Sequence, residues 1–214
     1  MALVFWTTNF VDDISPYAHA ITRGGTPTVG YRMETDGAAD YENIDPVIAT
    51  VGGDTAGSWF AWVNPTDATP VANEWFINFG DTAANEIIAI AILTTGIFYA
   101  ACIDGGAVAW VLETDAAAFL DGAWTRIGIV HNGTQPTLYA DGAATAQTFS
   151  TDNDRTIWFS DCAGLDNGRL GCQNYNGGGN LQHFDGIMAD VRIYNDAKSA
   201  DWVAIDYQRT KKFY

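Results

Sequence analysis

The chain has 214 residues, 26 of them acidic and 10 basic, for a formal charge of −16. An anionic excess of that size repels the phosphate backbone and excludes nucleic acid as an expected partner. The longest apolar candidate, Ile87 to Leu93, stops at Thr94-Thr95-Gly96, far short of the roughly 18 residues of a membrane span, and reads as a buried strand.

The acids are uneven in kind, 21 aspartates against five glutamates. Aspartate bonds nearby backbone and belongs in turns, whereas helix surfaces favour glutamate. With 22 glycines and 13% aromatic residues, the composition predicts short strands joined by turns, and about 200–250 residues is an ordinary size for one such domain. The start, Met1 to Trp6, has no basic leader and runs into Asn9, Asp12 and Asp13, so no secretory signal is expected. Residues 1–30 contain Phe5, Trp6, Phe10, Pro16 and Tyr17 with little period-two pattern. Two readings follow, an arm that docks on a neighbour or an edge segment that closes the domain.

Four segments then follow in order. Asp36 to Ile44 reads as an early strand, and Ser58 to Pro65 as a strand carrying Trp59 and Trp62 on opposite faces. Trp124 to Gly142 reads as a hairpin, with Thr125, Ile127 and Ile129 alternating, Asn132-Gly133 opening one turn and Asp141-Gly142 making another. Phe184 to Ser199 closes the series. Ile187, Ala189, Val191 and Ile193 alternate with Met188, Asp190, Arg192 and Tyr194 as two faces of one strand, and Ser199 is placed to cap a helix over about 199–208.

These segments, in this order, resemble the concanavalin A-like, laminin G-like jelly-roll family, over roughly residues 30 to 208. The resemblance implies an all-β antiparallel jelly-roll sandwich with a short C-terminal helix, spanning 31–214 after the N-terminal segment 1–30. It also implies strand-end or core packing for Trp124 and Trp158, and a docked helix at Trp202. Whichever of Trp59 and Trp62 faces away from the core is expected to line a concave sheet face or a subunit contact. The three cysteines are expected to be reduced, with Cys102 in a strand and Cys162 and Cys172 near enough in sequence to approach each other.

Successive antiparallel strands place their connections at alternate ends. That reasoning puts Asp81, Asp104, Asn132, Asp152, Asp154, Asn174, Tyr175 and Asn176 on one rim, and Asp115, Asp121, Asp141, Asp161 and Asp166 on the other. Laminin G-like domains often hold calcium at a rim, and Asp81, Asp152 and Asp154 are the candidate ligands; the competing reading is a plain turn. The loop Asn174 to Asn180, with three glycines, offers amides beside the Tyr175 ring, which suits a sugar, and Asn132 on the same rim is a further candidate for ligand contact. The same loop also reads as an ordinary flexible connection, and Asn132-Gly133-Thr134 as a hairpin turn that matches the glycosylation sequon only formally.

Some relatives of this fold are glycoside hydrolases with a Glu-x-Asp-x-Glu strand. Glu34-Thr35-Asp36 and Glu113-Thr114-Asp115 begin that pattern, but Ala38 and Ala117 stand where the third carboxylate belongs. No catalytic residues are expected. The first functional expectation is a non-catalytic virion surface protein, such as a phage capsid decoration, fibre or tail component. It would be homo-oligomeric, placed among neighbouring virion proteins, and in contact with a cell-surface glycan through one loop rim. The basic tail Arg209 to Tyr214 would pair with an acidic neighbouring copy or end in solvent. The alternative is a free carbohydrate-binding module, and the third reading is a glycosidase.

Overall fold

The computed structural model describes residues 3–7, 12–29 and 32–214, so Met1, Ala2, Asn9 and Phe10 of the N-terminal segment lie outside the described residues. The strands in chain order begin with β1 (Leu3–Thr7), β2 (Thr22–Gly24), β3 (Thr28–Val29), β4 (Met33–Asp36) and β5 (Tyr41–Asn43). A short helix α1 (Ile48–Val51) precedes β6 (Gly57–Pro65), β7 (Glu74–Gly80), β8 (Ile87–Ile92), β9 (Ile97–Asp104) and β10 (Ala107–Ala117). Then come β11 (Thr125–His131), β12 (Pro136–Ala140), β13 (Ala143–Ala144), β14 (Gln147–Asp152), β15 (Asn167–Leu170) and β16 (Asp185–Tyr194), and last the helix α2 (Ala200–Thr210).

They form two antiparallel sheets. The first runs β13-β12-β11-β6-β16-β4-β3 with β1 also paired to β16, and the second runs β14-β10-β9-β8-β7-β15-β5-β2. The expected all-β sandwich with a C-terminal helix is the observed fold. Three strands from residues 1–30 belong to it: β1 on β16, β2 on β5 and β3 on β4.

Alternation sorts side chains between the layers. In β8, Ile88, Ile90 and Ile92 enter the core while Ile87, Ala89 and Ala91 face out; in β9, Phe98, Ala100 and Cys102 enter. Trp158 is fully buried and stacks on His131 with ring centroids 4.8 Å apart. At Asp141-Gly142 both residues have positive φ, 49° and 83°, the conformation a two-residue hairpin turn requires.

Three expectations need correction. In β16 the register shifts between Ala189 and Arg192, with Asp190 at φ 48°. Such a bulge inserts one residue and exchanges the faces, so Met188, Val191 and Ile193 face the core while Ala189 opposes the outward Trp62. The rims do not alternate after Asp152, because residues 153–166 contain no strand and their Trp158 and Phe159 insert into the core. Asp161 and Asp166 therefore belong to the same end as Asp81, and Thr82 Oγ1 donates to Asp166 Oδ2 at 2.6 Å. All three cysteines are free, and the cysteine that Cys162 approaches is Cys102, 3.7 Å away. Finally, Trp62 faces away from the core yet lines no open face: Tyr207 and Tyr214 stack on it at 5.8 and 4.8 Å.

That last contact is part of a lid over the first sheet. Ser199 Oγ accepts the Trp202 N–H at 3.2 Å and starts α2, which runs to Thr210 rather than 208. Arg126 on β11, only 2% exposed, donates to Asp206 of α2 and to the Asp190 carbonyl, while Arg192 bonds both Asp190 and Asp206. Two cations and two carboxylates thus neutralise each other beneath the helix.

Candidate functional site: the outer face of the second sheet

Among the described residues, no helix covers the outer face of the second sheet. Register places Trp75 opposite Ala91, Ala91 opposite Tyr99, Tyr99 opposite Glu113 and Glu113 opposite Thr148, one lateral row across five strands. Ala89 and Ala91 are small, yet they are fully buried on this face under the cluster that includes Trp75, Tyr99, Ile103 and Tyr175. The Trp75 and Tyr99 rings meet edge to face, 5.9 Å apart at 90°, a favoured aromatic geometry. Tyr99 and Tyr175 remain half-buried, each with a surface open to solvent. Burial, reinforced by Glu113 and Tyr175 nearby, pushes the Tyr99 phenol up to about 12, so it stays a protonated donor.

The loop that carries Tyr175 is built onto this face. Gly80 ends β7 where a Cβ would stand 2.2 Å from the Asn174 carbonyl, and only glycine permits that approach. Asn176 and Gly177 both have positive φ, 53° and 70°, and turn the chain back. Asn176 N donates to the Asp81 carbonyl at 2.9 Å and Gly177 N to the Thr82 carbonyl at 2.8 Å. Asn174 N donates to Asn78 Oδ1, and Asn174 Nδ2 to Asn180 Oδ1, both at 2.8 Å. At the base, Trp75 Nε1 donates to Gln182 Oε1 at 2.7 Å. A cavity of about 180 Å³ opens here, lined by Gln173, Tyr175, Asn176, Gly178, Gly179 and Leu181. Leu181 also lines a second cavity of about 300 Å³ that runs past Gln182 and His183 to Asn73 and Glu74.

Of the residues expected to bind a ligand, Tyr175 and Asn176 line the first cavity. Asn174 is buried and braces the loop. Asn132 lies in the β11–β12 turn of the other sheet, where its Oδ1 accepts from Thr134 N, Thr134 Oγ1 and Gln135 N. The sequence reading missed Trp75, Tyr99, Gln173 and Gln182, and considered Glu113 only as a fragment of a hydrolase motif. The usable signal was in β9, where Tyr99, Ala101 and Ile103 alternate with the core residues.

The three proposed calcium ligands do not converge. β14, which ends at Asp152, and β7, which precedes Asp81, are separated by three strands, roughly 19 Å across the sheet at about 4.8 Å per strand. Arg155 donates to both Asp152 oxygens at 2.6 Å and, as a hydrogen-bonded cation, holds that carboxyl below the usual range. Asp154 accepts from the Thr156 hydroxyl and N–H, which lower its carboxyl likewise, and Asp81 accepts from Ala83 N and Ala84 N. Calcium takes six to eight oxygens around one point, and these residues do not fit it. A different group, Glu86, Asp104 and Cys162, brings ligand atoms within 4.8 Å of one another, but its thiol is a soft donor unlike those calcium takes.

The molecule is thus an antiparallel sandwich that covers one outer face with its own C-terminal helix and presents aromatic rings and amides on the other. A laminin G-type family model, described as the concanavalin A-like lectin/glucanases superfamily, matches residues 36–204, and the chain belongs to that superfamily. No curated protein matches it in sequence. Among solved structures it is similar to the Ruminococcus gnavus IT-sialidase CBM40 bound to α2,3-sialyllactose, with a TM-score of 0.68 and 18% identity over 95% of this chain and 98% of that one. It is also similar to the leech intramolecular trans-sialidase, with a TM-score of 0.67 and 18% identity over 95% of this chain and 28% of that one. The receptor-binding domain of a botulinum neurotoxin C/D mosaic gives a TM-score of 0.71 and 14% identity over 97% of this chain and 51% of that one. At these identities the likeness is one of fold. Among the described residues, no helix is long and apolar enough to cross a membrane.

Proposed function

We propose that the protein is a non-catalytic carbohydrate-binding module whose ligand lies on the outer face of the second sheet. The observation that carries the reading is the pair of half-buried rings, Tyr99 and Tyr175, beside an amide-lined cavity. A sugar presents an apolar ring face and a perimeter of hydroxyls; aromatic faces take the first and Gln, Asn and phenol groups the second. Similarity in fold to a sialidase CBM40 and to a neurotoxin receptor-binding domain supports the same reading. It is preferred to the virion assembly role that stood first in the sequence reading. Of the residues then assigned to contact with neighbouring copies, Phe5 and Trp6 lie in β1 paired with β16, and Tyr214 stacks on Trp62 of this chain. Binding without cleavage is supported by the two incomplete motifs, which lie on different sheets in β4 and β10 and lack a third carboxylate.

A glycan array followed by calorimetric titration of the best neutral or acidic hit tests this. Tyr99→Ala and Tyr175→Ala are each expected to weaken binding about tenfold or more, with folding checked by thermal unfolding. Unchanged affinity in both folded variants would overturn the assignment of this face.

A further inference from the structure

Resting on the carbohydrate-binding reading, we infer that this face selects neutral glycans and rejects those bearing a carboxylate or sulfate. Recognition of an anionic sugar needs a cation or convergent charge-assisted donors, and the cations of this chain are placed elsewhere or are already bound to a carboxylate. Arg126 and Arg192 are bound to Asp190 and Asp206 under α2, and Lys198 to Asp196. Arg23 is paired with Glu42 and Arg155 with Asp152. Arg169 does reach the loop, where its Nε donates to Asn180 Oδ1 at 3.1 Å, but its side chain is buried and its guanidinium is bound to Asp45. Arg32 lies over Trp124, and Arg209, Lys211 and Lys212 belong to the C-terminal helix and tail on the first sheet.

What the face does contain is neutral or negative. Gln173, Asn176 and Gln182 offer amides, and Tyr99 and Tyr175 offer phenols. Glu113 sits directly beside Tyr99 in the row, with Asp115 two residues on, and Glu74 lines the second cavity. A carboxylate on Glu113 can accept a sugar hydroxyl, but it repels an anionic substituent, and the net charge of −16 adds to that repulsion at long range. The selectivity is therefore built from a repulsive element as well as attractive ones.

The test is an array of neutral oligosaccharides paired with their sialylated, uronic acid and sulfated counterparts, with the best pair taken to titration calorimetry. The neutral member is expected to bind about tenfold or more tightly, and its affinity to hold steady between about 0.05 and 0.5 M sodium chloride, since no charge pair is screened. Glu113→Gln should narrow the gap between the two members. Equal or tighter binding of the acidic members would overturn the selectivity while leaving the carbohydrate-binding reading in place. Binding of no glycan in either class would overturn both.

Discussion

The outer faces of the two sheets begin from similar material and end in different states. On the first sheet, Phe60, Trp62 and Tyr139 point away from the core, as Trp75 and Tyr99 do on the second. The first set is sealed by the chain itself: Trp202 packs on Phe60 at 5.3 Å, and Tyr207 and Tyr214 stack on Trp62. The second set is bordered by a loop that leaves Tyr99 and Tyr175 half-buried. An outward aromatic residue on a strand is therefore not in itself a binding residue. What distinguishes the faces is whether another part of the chain satisfies it, and that depends on contacts distant in sequence.

The largest effect expected from breaking this contrast is at Arg126. Replacing it with alanine leaves Asp190 and Asp206 with Arg192 and the Trp6 indole N–H as donors beneath α2, and removal of one member of a buried ionic group costs about 3–5 kcal/mol. Chemical denaturation should show that loss, while affinity for glycan at the other face stays within error in the folded protein.

A pH dependence comes next, and it belongs to the second sheet. Burial raises Glu42 in β5 from 4.5 to about 7, against the opposing pull of Arg23, and burial raises Glu74 in β7 to about 7 against the hydrogen bond from Asp185 N, with help from the Asp185 and Asp67 carboxylates. Between about 4.5 and 7 the folded protein keeps protons that the unfolded chain has released. Stability should therefore fall as pH rises through that window, by at most about 1.4 kcal/mol per pH unit per group, and level off above it. Glu42→Gln keeps an acceptor for Arg23 and should flatten the Glu42 share of the slope in denaturation curves recorded across that range. The smallest effect on the fold is expected at Tyr99: its alanine variant should lose about tenfold in glycan affinity while the far face and its helix unfold as before.

Much of the fold was legible because it rests on local patterns. The alternation in Thr125, Ile127 and Ile129, the Asp141-Gly142 turn and the Ser199 cap each act over a few residues, and each appears as read. β16 misled because a bulge needs only one residue in an unusual conformation, and Asp190 does not announce it as a glycine would. The assignment of rims went wrong where Trp158 and Phe159 insert into the core without forming a strand, a tertiary choice that leaves no period in the sequence. The site was half visible. Asn174 to Asn180 stood out by its glycines and amides, but Tyr99 and Trp75 become partners only through the β7-β8-β9 register.

The most direct test of the contrast uses the tryptophan indole N–H signals as reporters in an NMR titration with a neutral oligosaccharide chosen from the array. Trp75, whose Nε1 is tied to Gln182 beside the proposed site, should shift with ligand along with the backbone amides of Tyr99 and Tyr175, while Trp62 and Trp202 beneath and within α2 stay still. Shifts confined to Trp202 and to the hollow of about 450 Å³ lined by Arg192, Ile205 and Phe213 would contradict the account and place the binding face on the opposite side of the sandwich.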